Sequence, residues 1–146
     1  MTENKMFCFQ CQETAKGTGC TIKGVCGKEA ETSKWQDLLL SVVRGVGTIQ
    51  HTLGKNASKE VADFLVDALF STITNANFDD QSILNKVDTG IALKKQLLET
   101  ALSKNITFPN YQEVHWGGEK SDYSAEGERE GVCRPPFTEG THRSWS

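Results

Sequence analysis

The sequence predicts an all-α protein, in which a cysteine-rich loop precedes a three-helix bundle and a disordered tail follows it. Four of the five cysteines lie within the first 26 residues. Three later stretches carry apolar residues at helical intervals, and no stretch gives a convincing strand pattern. The end of the chain contains no leucine, isoleucine or methionine. We therefore place the boundaries of the three regions at residues 1–31, 32–116 and 117–146.

The composition excludes several classes of protein. With 146 residues, the chain can bury one modest core. Its net charge is −3, and it has no basic stripe or long apolar run, so we expect no nucleic-acid partner and no membrane span. The start of the chain, Met1–Met6, lacks the apolar segment of a secretory signal. Cysteines without such a signal indicate the reducing cytoplasm.

The loop carries the cysteine pattern C-x2-C-x8-C-x5-C, formed by Cys8, Cys11, Cys20 and Cys26. Two cysteines two residues apart can turn both thiolates toward one metal centre, and the chain that follows can return with two more. Disulfides are disfavoured because they need an oxidising compartment. The fifth cysteine, Cys133, lies far away and is expected to be a free thiol.

The cysteine spacing alone is compatible with either a zinc ion or an iron–sulfur cluster. Four-cysteine zinc sites also begin with C-x2-C, but they usually pair two such knuckles, and C-x5-C fits no common zinc spacing. Cubane clusters accept more varied loops, because four irons spread the ligands more widely than one ion does. The spacing therefore favours an iron–sulfur cluster modestly over zinc.

The residues between the cysteines favour the iron–sulfur interpretation further. Glycine lets the backbone approach an inorganic core and donate to its sulfurs, and the loop contains Gly17, Gly19, Gly24 and Gly27. Lysines could offset the negative charge of a cluster, although each taken singly is more simply a solvated loop charge; these are Lys16, Lys23 and Lys28. Phe7 and Phe9 flank the first cysteine, either as a shield against water or as core anchors.

The first helix follows the loop. Ser33 with Gln36 matches a capping box at its start, and Gly54 is a natural stop. Gly45 and Gly47 each weaken the helix by about 1 kcal/mol relative to alanine, which we interpret as tolerated rather than as a sign of close packing. The apolar stripe consists of Trp35, Leu38, Leu39, Val42, Val43, Val46, Ile49 and Leu53.

Two more helices complete the predicted bundle. The second is expected to begin at Ser58 and to end within 75–77, with an inner face of Val61, Phe64, Leu65, Ala68, Leu69 and Ile73. The third is expected to begin at Asp79 or Asp80 and to end at Asn105 and Pro109, with an inner face of Ile83, Leu84, Val87, Ile91, Leu98, Ala101 and Leu102. Short connections predict an up-down-up bundle. Any unpartnered apolar face on the third helix would favour self-association.

The remaining features carry little functional signal. The tail from Gly117 onward is too poor in apolar residues to offset its ordering entropy, so we expect it to be disordered. His51 and His115 are interpreted as surface or capping residues. Glu13 and Glu29 are interpreted as solvated loop carboxylates.

The chain closely resembles the N-terminus of the hybrid cluster protein family, also called the prismane protein or hydroxylamine reductase family. The resemblance is carried by the stretch Met6–Thr14 (MFCFQCQET), by Gly19–Cys20 and by Gly24–Lys28 (GVCGK). The residues Trp35–Leu39 (WQDLL) also resemble that family's first helix. We follow the resemblance from Met6 to about Gly118. The carbon monoxide dehydrogenase family shares the fold but matches this motif less well.

The resemblance implies a fold and a cofactor. It implies the first of a pair of three-helix bundles, with a [4Fe–4S] cubane at its edge held by Cys8, Cys11, Cys20 and Cys26. The cubane would relay electrons from a partner reductase. In the family, hydroxylamine is reduced to ammonia and water at a second, hybrid iron–sulfur–oxygen cluster, and this activity is linked to nitrosative and oxidative stress. The ligands of that cluster come from further domains, so we expect no catalytic residue, no hybrid cluster and no activity in this chain alone.

Two other functions stay open on the sequence. One is a zinc-stabilised helical module for protein contacts, which metal analysis separates from an iron–sulfur protein. The other is a redox sensor, in which cluster loss or thiol oxidation changes a partner interaction. A truncated or frame-shifted gene would explain a resemblance that stops near Gly118, and the nucleotide sequence tests that hypothesis.

Overall fold

The protein is described by a computed structural model that covers residues 6–54, 56–73, 78–108 and 114. These residues form three α-helices and no strand: α1 (Ala30–Leu53), α2 (Lys59–Ile73) and α3 (Asp80–Ser103). The predicted all-α class and the bundle behind a cysteine-rich loop are therefore confirmed. The predicted disordered tail, 117–146, lies outside the described residues. Within the described part of the chain, no helix combines the length and apolar character needed to cross a membrane.

The start of α1 corrects one prediction and its end confirms another. The helix begins at Ala30, directly after Glu29, so the predicted capping box of Ser33 with Gln36 is wrong. Both side chains lie inside the helix and are buried, because tertiary packing covers this polar turn and extends the helix beyond its predicted start. Gly54 ends the helix as predicted, in the left-handed region with a φ of 63°.

The other two helices begin where the sequence predicts, and each is capped by a side chain. The hydroxyl oxygen of Ser58 accepts a hydrogen bond from the Val61 N–H at 3.3 Å. The carboxylate of Asp79 accepts from the N–H groups of Gln81 and Ser82 at 3.1 and 3.3 Å. Each cap satisfies N–H groups that have no partner within the first turn of its helix.

The end of α3 also agrees with its predicted stop. Asn105 adopts a φ of 55°, which reverses the chain. The Asn105 N–H donates to the Leu102 carbonyl and the Ile106 N–H donates to the Ala101 carbonyl, each at 3.0 Å. This pair of bonds is a Schellman motif, which satisfies the last carbonyls of the helix. Pro109, the second predicted stop, lies outside the described residues.

The core is built around one broad face of α1. Its cluster of buried apolar side chains comprises Leu38, Leu39, Val42, Val43 and Val46 from α1, Val61, Phe64 and Ala68 from α2, and Ile83, Val87 and Leu93 from α3. Leu93 was not among the predicted core residues. Leu102 was, but it is 69% exposed. Its neighbour Ala101 is fully buried, and successive helical residues point about 100° apart, so Leu102 faces away.

Contacts between the helices define an up-down-up bundle. The Lys28 ammonium before α1 lies 6.0 Å from the centre of the Phe78 ring before α3, so these two helices start side by side. Further along, Lys86 of α3 forms an ion pair with Asp67 of α2. The Phe64 ring of α2 lies against Gly90 of α3, so α2 runs antiparallel to α3.

Exposed apolar side chains lie on two of the helices. Val66 and Phe70 of α2 are 69% and 68% exposed, and they line one shallow surface depression. On α3 the exposed apolar residue is Leu102. Among the described helices, α2 therefore exposes more large apolar side chains than α3. Self-association through such a face stays a prediction.

Two glycine-to-alanine substitutions separate packing from helix propensity. A Cβ at Gly90 would lie 2.5 Å from atoms of Val42 and Phe64, whereas a Cβ at Gly47 would meet nothing within 4 Å. We expect Gly90→Ala to lower the free energy of unfolding by about 1–3 kcal/mol through overpacking. Gly47→Ala should raise it by about 1 kcal/mol. Urea denaturation followed by circular dichroism measures both, and equal effects would contradict this account.

Candidate functional site

The cysteine-rich loop is closed by backbone pairing between its first and third cysteines. The Cys8 N–H donates to the Cys20 carbonyl at 3.0 Å, and the Cys20 N–H donates to the Cys8 carbonyl at 2.9 Å. The Met6 N–H extends the pairing to the Thr21 carbonyl at 3.2 Å. Because the two segments run antiparallel, two cysteines that are distant in sequence are held opposite each other.

The turn between these segments directs a backbone N–H group at the Cys20 sulfur. The Ala15 N–H donates to Cys20 Sγ at 3.4 Å, and the Thr14 hydroxyl lies 3.7 Å from the same atom. The Thr14 hydroxyl also donates to the Cys8 carbonyl at 3.1 Å, which ties the turn to the paired segments. The hydrogen bond from the Ala15 backbone, with a second from Val25, lowers the pKa of the buried Cys20 thiol, although burial acts in the opposite direction.

A second, tighter turn places the fourth cysteine beside the start of α1. The Gly24 N–H donates to the Lys28 carbonyl and the Gly27 N–H donates to the Gly24 carbonyl, each at 2.8 Å. A Cβ at Gly24 would lie 3.1 Å from Cys26 Sγ and 2.9 Å from Lys28 Cβ. Only glycine leaves space there, so the turn requires it.

Lys28 is the buried charge of the site. Its side chain is fully buried, with the ammonium 2.9 Å from Gln10 Oε1 and 3.6 Å from Cys8 Sγ. The interpretation of this lysine as a solvated loop charge is therefore wrong. It holds for the other two loop lysines: Lys16 is exposed, and Lys23 is exposed in an ion pair with Glu29.

The two phenylalanines beside Cys8 are not core anchors. Phe7 is 41% exposed and Phe9 is 58% exposed. The Phe7 ring lies directly over Gly19, where a Cβ would come within 2.5 Å of it. The core-anchor role is therefore wrong, and a role in shielding a cluster from water stays a prediction.

The four cysteines share one loop but differ in burial. Cys20 is buried, Cys8 and Cys11 are half-buried, and Cys26 is exposed, and none of these four described cysteines forms a disulfide. Among the described residues, no group of three or more histidine, cysteine, aspartate or glutamate side chains is placed to hold a single metal ion. The donor set fits an iron–sulfur cluster by its chemistry, since it offers four soft thiols, N–H groups directed at a sulfur and a glycine turn with no space for a side chain.

The other candidate residues add nothing to this site. His51 is exposed at the end of α1, and Glu13 is exposed in the loop. His115 and Cys133 lie outside the described residues. Sequence reasoning gave no role to Thr14, whose hydroxyl contacts both paired segments, because a threonine in a loop carries no distinguishing pattern.

Asp37 is a further acidic group near the site that the sequence did not single out. Burial raises the pKa of the Asp37 carboxyl to about 7, although the positive charge of Lys28 acts to lower it. The residue lies in the first half of α1. A carboxyl directly before three leucines, Leu38–Leu40, is the sequence signal that it gives.

Comparison with protein families places the chain in a class. Residues 6–132 match the family described as the Prismane/CO dehydrogenase family. Because this match covers most of the chain, the protein belongs to the Prismane/CO dehydrogenase family. The match also continues past Gly118, so our expectation that the resemblance ends there is wrong.

The similar proteins from three organisms share one name. The chain is 47% identical over 132 residues to a protein of Bacteroides fragilis (strain YCH46) named hydroxylamine reductase, covering 88% of this chain and 23% of that protein. A protein of the same name from Bacteroides thetaiotaomicron is 46% identical over 134 residues, covering 90% of this chain and 24% of that protein. A protein of the same name from Methanocaldococcus jannaschii is 48% identical over 94 residues, covering 64% of this chain and 17% of that protein. The chain thus spans about a quarter or less of the length of these relatives.

The raised pKa of Asp37 predicts a pH dependence of stability. In the unfolded chain the carboxyl ionises near its ordinary pKa of 3.8, whereas in the folded chain it keeps its proton up to about pH 7. The free energy of unfolding should therefore fall as the pH rises through this window. Asp37→Asn should remove that loss, which amounts to roughly 2–4 kcal/mol at 1.36 kcal/mol per pKa unit.

Urea denaturation of the metal-free chain at several pH values between about 4 and 8 measures this effect. Asp88→Asn is the matched control, because Asp88 is exposed on α3. Parallel stability curves for the wild type and Asp37→Asn would contradict the prediction.

Proposed function

We propose that Cys8, Cys11, Cys20 and Cys26 hold a [4Fe–4S] cubane and that this part of the protein relays electrons. Membership of the Prismane/CO dehydrogenase family supports an iron–sulfur cofactor in general terms. The observation that carries the more specific proposal is the reciprocal backbone pairing of Cys8 with Cys20, which brings the two halves of the cysteine pattern together.

Hydrogen bonds in the loop support a bound anionic cluster. N–H groups and hydroxyls near thiolate ligands stabilise negative charge on sulfur and raise the reduction potential of a cluster. The Ala15 N–H is placed at Cys20 Sγ in this way. A loop that served only to connect two segments would not need donors directed at a sulfur.

When bound, a cubane supplies a one-electron redox couple. The chain's own residues would then fix its position and surroundings. Cys20 and Lys28 form the buried side of the loop, and Cys26 with Val25 forms the exposed side. We propose that a redox partner reductase approaches the exposed side, because electron transfer needs a short path to the donor.

For the whole protein we propose hydroxylamine reduction, the activity in the names of its relatives. The reaction NH2OH + 2 e⁻ + 2 H⁺ → NH3 + H2O would draw its electrons through the cubane, in the cytoplasm and in response to nitrosative stress. We place the second, hybrid cluster of this reaction outside the 146 residues and expect no hydroxylamine reduction by the chain alone.

Anaerobic reconstitution with iron and sulfide tests the cofactor directly. We expect brown protein with roughly four iron and four sulfide per chain, because a cubane contains four of each and is held by four thiolates. The measurement is iron, sulfide and zinc analysis together with the visible absorption spectrum. Colourless protein that retains one zinc would contradict the proposal.

Single Cys→Ser variants test the ligand set. Replacement of Cys8, Cys11, Cys20 or Cys26 should each abolish or sharply reduce the iron content, because a cubane needs all four thiolates. Cys133→Ser is the matched control and should retain the wild-type iron content. Circular dichroism of each variant confirms that the bundle remains folded, and full iron retention in any one of the four would remove that cysteine from the ligand set.

A further inference from the structure

We propose that Lys28 is the positioning residue of the cluster site: its buried ammonium faces the Cys8 sulfur and sets the reduction potential of the cluster that the four cysteines hold. This inference rests on the proposed function, because it concerns a cluster bound at these thiolates. It assigns a specific role to a lysine that the cysteine pattern alone does not distinguish from its neighbours.

The burial of Lys28 calls for an explanation. An ammonium group removed from water costs several kcal/mol unless a counter-charge and hydrogen bonds compensate it. The groups around this ammonium are the amide oxygen of Gln10 at 2.9 Å, Cys8 Sγ at 3.6 Å and the Phe78 ring at 6.0 Å. Gln10 is neutral and the ring provides only a weak electrostatic contact, so the sulfur is the group that can supply negative charge at hydrogen-bond distance.

The Asp37 carboxyl also interacts electrostatically with Lys28. Its burial opposes ionisation, so near neutral pH it supplies only part of a negative charge. A thiolate that ligates iron carries its charge permanently. When the cluster is bound, the Cys8 thiolate therefore supplies the negative charge that offsets the Lys28 ammonium.

Hydrogen bonds hold Lys28 in position at both its backbone and its side chain. Its carbonyl accepts from the Gly24 N–H at 2.8 Å, and the residue lies directly before Glu29 and the start of α1. The bond to Gln10 ties its far end to the segment that carries Cys8. Because Lys28 is held at both its backbone and its ammonium, the positive charge keeps its place when the cluster is reduced or oxidised.

A fixed and buried positive charge favours the more negative, reduced form of an adjacent cluster. The effect is large where water is excluded, because charges inside a protein are screened less than charges at its surface. Lys16 and Lys23 belong to the same loop but are exposed, and Lys23 is already paired with Glu29. They therefore serve as matched controls for the loss of one loop charge.

The test is a redox titration of the reconstituted chain, monitored by visible absorption and electron paramagnetic resonance. Lys28→Met keeps most of the volume and removes the charge, and Lys28→Gln removes the charge but keeps a hydrogen-bond donor. We expect either change to lower the ratio of reduced to oxidised cluster about tenfold at a fixed potential, which corresponds to 59 mV for a one-electron couple. Lys28→Arg should stay close to the wild type, and Lys23→Met should change the ratio by roughly twofold or less.

The outcomes separate this inference from the function on which it rests. If the wild-type chain assembles a cubane and the neutral variants keep its potential, the role of Lys28 is disproved and the proposed function stands. If the wild-type chain takes up no iron, both fail. If the neutral variants fold but lose the cluster while Lys28→Arg keeps it, the charge acts in cluster assembly, and the inference that it sets the potential is overturned. Failure of Lys28→Arg as well would show that packing matters and would overturn it.

Discussion

The burial of α1 against both other helices is the constraint on which the rest of the structure depends. Its apolar face packs against α3 and α2 together, and residues such as Leu38 and Val46 are completely buried. Because α1 cannot shift without opening this core, its first turn is a fixed point. The second turn of the cysteine-rich loop ends at that point, so Cys26 and Lys28 take their positions from the bundle.

The loop itself has little apolar surface with which to hold its shape. Ile22 and Val25 are exposed, as are the two phenylalanines near its start. Its conformation depends instead on hydrogen bonds: the pairing of Cys8 with Cys20, the two glycine turns, and the link from Lys28 to Gln10. A bound cluster would add covalent links between the same segments. We therefore expect cofactor binding and loop structure to be strongly coupled.

Local sequence signals predicted several of the helix ends correctly. Where a prediction failed, the cause was burial by other parts of the fold. Ser58, Asp79 and Asn105 act as predicted, because caps and left-handed turns depend on short-range chemistry. Ser33 and Gln36 do not, because their turn is covered by the fold and the helix continues through it. The exposure of Leu102 is a similar case, since only packing shows which apolar residue of a helix faces inward.

The sequence by itself determined the all-α class, the three helices and the family motif, because periodicity, caps and cysteine spacing depend only on residues close together in the chain. It also placed four thiols in one loop. Only the tertiary structure decided which of three similar lysines is buried, which cysteine receives hydrogen bonds at its sulfur, and that the Asp37 carboxyl keeps its proton to about pH 7. These properties depend on the exclusion of water by segments far apart in the chain, and no local pattern records that exclusion.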